Sequence, residues 1–237
     1  MTIKSGLHGV IRRFGFDVVR FDGRKFPERK RAELMQRLAI DLVIDVGADS
    51  GGYVDALRTN GFDGRIVAFE PLSGPFERLR ALSERDSGVT VHRCALGAEA
   101  GDATLHVSGN LYSSSLLPMK EAHLQVAPES AYYADEHVEV RTLDSFELIG
   151  PSDSAWLKVD TQGYEAQVLG GSDHALRRVR GVEIELSYLE LYEGQALAYD
   201  LHEHLRSYGL ELAAFGRPLY DPKTSILLQI DAIFLRA

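Results

Sequence analysis

Short apolar runs recur along this chain, each ending on a polar residue at what would be a strand tip. They are "DLVIDVG" (41–47), "GRIVAFE" (64–70), "AWLKVD" (155–160) and "GVEIELS" (181–187). Runs this short and this rich in branched residues suit strands buried on both faces of a parallel sheet. The stretches between them have helical period: "GGYVDALRTNG", closed by Gly61; "SGPFERLRALSER", with Ser73 as cap and Pro75 in its first turn; "YEAQVLGGSDHALRRV", broken at Gly170 and Gly171; and "YDLHEHLRSYG". "GVTVHRCALG" (88–97) reads as a further strand, and "LELAAFG" and "SILLQIDAIFLRA" as the last ones. The alternation predicts an α/β chain built on a doubly wound, mainly parallel sheet with helices on both faces. At 237 residues it makes one large domain rather than two.

The rhythm changes after residue 100. "GDATLHV" and "HVEVRTL" alternate with a period of two, as half-exposed strands do. Between them lies "SGNLYSSSLLPMKEAHLQVAPESAYYADE", too long for a turn. It is expected to be a lid or binding loop, or else disordered.

Charge divides the chain. The net charge is −9, which argues against a nucleic-acid partner. Residues 1–37 nevertheless hold ten Lys/Arg against four Asp/Glu. We expect a basic N-terminal extension over 1–34 and a single catalytic domain over 35–237. "GLHGVIRRFGFDVVRF" would either touch an anionic membrane or dock on the domain through Val10, Ile11, Phe14 and Phe16. The lone cysteine, Cys94, excludes an intrachain disulfide and suits a reducing cytoplasm. No run spans a bilayer and no signal-peptide core opens the chain, so the expected location is cytoplasmic, with peripheral contact at the inner membrane face as an option. A homodimer is left open.

Ligands of such sheets bind beyond the carboxyl ends of the strands. "DVGADSGGY" is the first such end. Gly47 and Gly51 would let the backbone turn and approach a ligand, with Ala48 and Asp49 between them. The spacing is not the G-x-G-x-x-G of NAD sites, so a smaller nucleoside is favoured. Glu70 ends the second strand, where an acid accepts ribose hydroxyls, and Asp45 could meet a cationic ligand group.

"VIDVGADSGGY", "AFEPLSGPFERL", "CALG", "SSSLLPM", "TLD", "LKVDTQGYEAQVLGG", "EIELSYLELYEGQ" and "DAIFLR" occur in this order, and the chain from about residue 35 onward resembles the FkbM family of S-adenosylmethionine-dependent methyltransferases. The resemblance implies a class I methyltransferase (Rossmann-like) fold of seven strands, the last antiparallel, and methylation of hydroxyls, often on sugars of glycolipids, polysaccharides or macrolides. It implies that Asp45 and Gly47 line the methionine part of S-adenosylmethionine, that Glu70 and its neighbour Pro71 border the ribose, and that Ala95 and Leu96 flank the adenine. Many relatives have Asn where Asp49 stands and Glu where Gln162 stands.

A hydroxyl is a weak nucleophile and needs a base or a metal. Asp160 ends the strand expected beside the first, so it should face the reactive end of the cofactor. Glu165 falls in the first turn of the next helix, where a structural role is favoured. Glu183 and Glu185 share one strand face, Glu185 nearer the functional end. Asp144 is expected to cap a helix, and Asp231 ranks as a lesser strand-end acid. Two mechanisms stay open. In one, His123 swings from the long loop as general base while Asp160 orients the hydroxyl. In the other, Asp160 and Glu185 hold Mg²⁺. Tyr112, Ser114, Ser115, Tyr188 and Tyr192 are expected to shape a sugar pocket. The competing functions are an NAD-linked oxidoreductase and a non-catalytic nucleoside-binding module.

Overall fold

The computed structural model describes residues 27–237, so the arm over 1–26, with Val10, Ile11, Phe14 and Phe16, lies outside the described residues. Helix α1 (Pro27–Arg37) is followed by β1 (Leu42–Val46), α2 (Gly52–Thr59), β2 (Arg65–Phe69), α3 (Ser73–Ser83) and β3 (Val89–His92). Then come β4 (Ala95–Leu96), β5 (Gly101–Ser108), α4 (Glu121–Val126), β6 (Tyr132–Arg141) and β7 (Ala155–Val159). The chain ends with α5 (Glu165–Gly170), α6 (Asp173–Leu176), β8 (Gly181–Ser187), α7 (Ala198–Ser207), β9 (Leu210–Tyr220) and β10 (Leu227–Arg236).

Seven strands form the main sheet in the order β3-β2-β1-β7-β8-β10-β9. The contacts of β1 with β2 and β7, of β2 with β3 and of β7 with β8 are parallel; β10, the last strand, runs antiparallel to both β8 and β9. This is the class I methyltransferase arrangement. All five residues of β1 are buried, which is why "LVIDV" reads as a continuous apolar run broken by one acid. Leu42, Ile44 and Val46 face α5, α6 and α7 through Val168, Leu176 and Leu201. Val43 faces the opposite layer, where Trp156 packs with Leu34 of α1, Val54 of α2 and Leu79 of α3. The boundary expected at 34/35 therefore falls inside a helix whose Leu34 and Met35 belong to the core.

Three details depart from expectation. The strand over 88–97 is two strands: β3 belongs to the main sheet, while β4 pairs with β6 in a separate sheet of order β4-β6-β5. The long segment between β5 and β6 is ordered and folded rather than disordered. It carries α4, and Leu117 and Met119 pack on Leu191, Tyr192 and Leu228. Ser73 is the first residue of α3 and not its cap. Its N–H donates to Glu136 at 3.0 Å, and the preceding N–H, of Leu72, donates to Glu70 Oε1 at 2.8 Å. Asp144 does cap a helix, but one distant in sequence: its carboxylate accepts the His174 and Ala175 N–H groups of α6 at 2.7 and 2.9 Å.

Candidate active site

Two cavities meet over the tips of β1 and β7. One runs across β2 and β4 and is lined by Phe69, Glu70, Pro71, Cys94, Ala95 and Leu96, with Leu111, Tyr112 and Ser114–Leu116 also on its wall. The other opens toward α1 and β8 and is lined by Arg31, Tyr53, Lys158, Glu183, Glu185 and Asp231. Gly47, Asp49, Tyr112 and Asp160 line both.

The first cavity has the chemistry of a nucleoside site. Its walls are largely apolar, and Glu70 lies at its floor, 6% exposed. Glu70 Oε2 accepts the Asp49 N–H and Oε1 the Leu72 N–H, both at 2.8 Å, so the acid ties the tip of β1 to the start of α3. Burial pushes its carboxyl up to about 7, against the pull of those two N–H groups. Further donors, such as a ribose diol, would favour the ionised form.

The second cavity is walled by charge. Register places Asp45, Lys158 and Glu183 side by side on β1, β7 and β8. Lys158 Nζ lies 3.5 Å from Asp45 Oδ1 and 3.3 Å from Asp160 Oδ2. Burial works against this ammonium, but Asp160 and Asp45 outweigh it and hold its pKa above the ordinary lysine value. Asp45 is fully buried, and neither of its oxygens receives a hydrogen bond; burial raises its pKa despite Lys158. Glu183 is clamped by Arg31, whose Nε reaches Oε2 at 2.7 Å and whose terminal nitrogen reaches Oε1 at 2.8 Å, and by the Tyr53 hydroxyl at 2.8 Å. Arg31 also stacks 4.5 Å from the Tyr53 ring centre, and Arg217 of β9 pairs with Glu28, so α1 is tied across the cavity mouth. Asp160, which like Asp49 lines both cavities, stands beside this ladder, and its side chain is 35% exposed.

The family model described as the methyltransferase FkbM domain matches residues 45–212. The chain belongs to the FkbM methyltransferase family. This is a family of S-adenosylmethionine-dependent methyltransferases, and its match covers both cavities' strand tips. Among curated proteins the chain is similar to the hexuronic acid methyltransferase AglP of Haloferax volcanii, 29% identical over 147 residues, 62% of this chain and 56% of that protein. The chain thus matches little more than half the length of that relative. Solved structures similar to it include the 1,6-didemethyltoxoflavin-N1-methyltransferase of Burkholderia thailandensis with bound S-adenosylhomocysteine (TM-score 0.46, 14% identity, 89% of this chain and 78% of that one). Another is the precorrin-6y C5,15-methyltransferase of Geobacter metallireducens GS-15 (TM-score 0.42, 12% identity, 88% of each chain). The fold assignment rests on the strand order itself.

Within this FkbM domain, Gly47, Asp49, Glu70, Pro71, Ala95, Leu96 and Asp160 line the first cavity together. Asp45 does not. The alternation of β1 turns it away from that cavity and against Lys158. Ala48 lines the charged cavity instead. Packing by itself requires both glycines. A Cβ on Gly47, whose φ is +78°, would sit 1.9 Å from the Asp160 carbonyl oxygen. One on Gly51 would meet Leu82 at 3.0 Å and Leu79 at 3.2 Å.

His123 lines neither cavity. It is 6% exposed, its Nε2 lies 3.2 Å from Ser130 Oγ, and its ring packs 5.2 Å from that of Tyr192; burial lowers its pKa. The general-base role expected for it is therefore withdrawn. Tyr192 is wholly buried, and Tyr188 packs edge-on against Tyr199, so of the three tyrosines only Tyr112 faces the cavities. Ser114 and Ser115 line the first cavity, but their hydroxyls are already engaged at 2.7 Å: that of Ser114 donates to Leu111 O within the loop, and that of Ser115 donates to Gln162 O and fastens the loop to the turn after β7. Glu165 is structural, as expected: its Oε1 accepts the Thr161 and Gly163 N–H groups at 2.9 and 3.2 Å. The expected Mg²⁺ does not suit this donor set. Asp160 Oδ2 faces an ammonium, and both Asp160 Oδ1 and Glu185 Oε2 accept from the Gln162 amide, so N–H groups meet the oxygens a cation would need. Among the described residues no group of three or more His, Cys, Asp or Glu is arranged to hold a metal.

Sequence reasoning passed over Lys158 and Arg31. A lysine inside the apolar run "AWLKVD" was a usable signal, because a cation in a buried strand needs an acid on a neighbouring strand.

Proposed function

We propose that this chain is an O-methyltransferase that transfers the methyl group of S-adenosylmethionine to a hydroxyl of a sugar, carried on a glycolipid, an oligosaccharide or a glycosylated natural product. The observation that carries this reading is Asp160, a partly exposed carboxylate lining both a nucleoside-shaped cavity and a polar one. Glu70 would hold the ribose, and Phe69, Cys94 and Leu96 the base. S-adenosylmethionine supplies a methyl group already activated on a sulfonium. The chain's own task is to seat the acceptor oxygen and to take its proton.

Asp160 is placed for that proton. Lys158 and Gln162 fix its two oxygens, and Tyr112, 71% exposed at the junction, offers a ring face to a sugar. The many hydrogen-bonding groups of the second cavity suit a polyhydroxylated acceptor better than an apolar one. The similarity to a hexuronic acid methyltransferase supports a sugar acceptor. The cationic excess of residues 1–37 supports a peripheral contact with an anionic membrane surface, where a lipid-carried sugar would be found. No helix of the described residues is long and apolar enough to cross a membrane.

The test is incubation of the full chain with methyl-labelled S-adenosylmethionine and a panel of oligosaccharides and glycolipids, including hexuronic acids. Label that survives mild alkali and is recovered as an O-methyl sugar after hydrolysis supports the reading. Label found only on nitrogen or carbon acceptors overturns it.

A further inference from the structure

The turn that carries Asp160 is organised around one side chain. Gln162 lies with its amide between two carboxylates, and Nε2 donates to Asp160 Oδ1 at 2.9 Å and to Glu185 Oε2 at 3.1 Å. Both amide hydrogens are thereby engaged, one on each acid. On the other side, Oε1 accepts the Tyr192 hydroxyl at 3.0 Å. Tyr192 cannot easily move: it is fully buried, and its ring lies so close to Gly163 that a Cβ there would come within 2.9 Å of it. A flipped Gln162 would aim its oxygen at two carboxylates, so the amide has one favourable orientation.

The remaining groups complete the pattern. Gln229 Nε2 donates to the same Glu185 Oε2 at 2.8 Å and to Ser187 Oγ at 3.1 Å. Lys158 Nζ stands 3.3 Å from Asp160 Oδ2. Asp160 thus has an N–H donor on each oxygen, and Glu185 has two on one. A divalent cation bridging these acids would need lone pairs in the gap, and the gap holds hydrogens instead.

We infer that Gln162 is a positioning residue that takes the place of a bridging cation between Asp160 and Glu185, and so lets this pair work without a divalent metal. The inference rests on the reading that Asp160 faces the acceptor. Burial and the nearby Asp160 raise the Glu185 pKa well above the ordinary range, which fits a pair that holds a proton where a metal would otherwise compensate its charge. The role belongs to the amide and not merely to its bulk, because a carboxylate of the same shape would convert the gap into a set of three acids.

The probe is Mn²⁺, followed by paramagnetic resonance of the free ion in titrations of the full chain. The wild type should show no binding tighter than roughly 1 mM, and Gln162→Glu should bind one ion at least about tenfold more tightly. That gain should vanish in the double variant Gln162→Glu/Glu185→Gln. A folded Gln162→Glu chain that binds Mn²⁺ no better than the wild type overturns the inference. So does one Mn²⁺ per wild-type chain that is lost in Asp160→Asn. Should Gln162→Glu fail to fold, the wild-type and Asp160→Asn titrations still decide. S-adenosylhomocysteine titrated into the same wild-type sample separates the two readings, since its failure to bind counts against the cofactor site and leaves the metal result standing.

Discussion

Gly47 and Asp160 approach so closely that the tips of β1 and β7 have no space for a side chain between them: a Cβ at 47 would fall 1.9 Å from the Asp160 carbonyl oxygen. The contact is backbone against backbone, at the junction of the two cavities. Gly47→Ala should therefore separate the strand tips and move Asp160. The added strain at a φ of +78° contributes as well. Together these should cost about 3 kcal/mol or more and abolish S-adenosylhomocysteine binding. Urea unfolding followed by the fluorescence of Trp156, the lone tryptophan and fully buried, measures the first effect, and calorimetry the second.

Lys158 should prove a structural necessity before it is anything else. Lys158→Met leaves Asp45 fully buried with no cation beside it, a change expected to cost about 3–5 kcal/mol. Adding Asp45→Asn removes the orphaned charge and should restore a large part of that loss. Urea unfolding of the two single variants and the pair gives the coupling. Additive losses would show that the two side chains do not act on each other.

Cofactor binding should depend on pH through Glu70. Its carboxyl titrates at about 7 in the free protein because burial disfavours its charge. Ribose hydroxyls donating to the ionised form lower that value on binding, so affinity is fullest above pH 7 and falls as pH drops through it. The expected loss is about tenfold in Kd per pH unit below 7. Titrations with S-adenosylhomocysteine between pH 5.5 and 8.5 measure the slope, and Glu70→Gln should flatten it while weakening binding at the alkaline end.

Glu165 gives a stability prediction of the same kind. Burial raises its pKa from 4.5 to about 7. Below pH 4.5 it is protonated folded and unfolded; between 4.5 and 7 only the folded chain keeps the proton. Its contribution to stability is thus complete below pH 4.5 and declines as pH rises through 7, by up to about 3 kcal/mol. Glu165→Gln keeps an acceptor oxygen for the Thr161 and Gly163 N–H groups and has no proton to lose. Its stability should decline less than the wild type's across that window in urea unfolding at stepped pH.

The sheet was legible because strands buried on both faces must be apolar throughout, and "LVIDV", "RIVAF" and "AWLKV" obey that rule. The division of 88–97 was not, because β4 leaves the main sheet only through its pairing of Ala95 with Val140 and Leu96 with Arg141, contacts about forty-five residues away in sequence. Asp45 was misplaced for a nearer reason. Strand alternation already set it opposite Leu42, Ile44 and Val46, and a lysine in the neighbouring strand was its natural partner. His123 read as a mobile loop residue because nothing local in "KEAHLQVAPES" reveals that the loop folds down onto Tyr192 and Leu228. Glu70 and Asp160 were legible because strand-tip positions follow directly from the alternation of strand and helix, whereas Ala95 and Leu96 came only with the family resemblance.

The most direct measurement is a crystal structure of the full chain with S-adenosylhomocysteine. The expected result is ribose on Glu70, the base between Phe69 and Leu96, and the sulfur at the junction of Gly47 and Asp160, facing the cavity of Lys158 and Glu185. A nucleoside bound away from the tips of β1 and β2, or a sulfur turned away from Asp160, would contradict it.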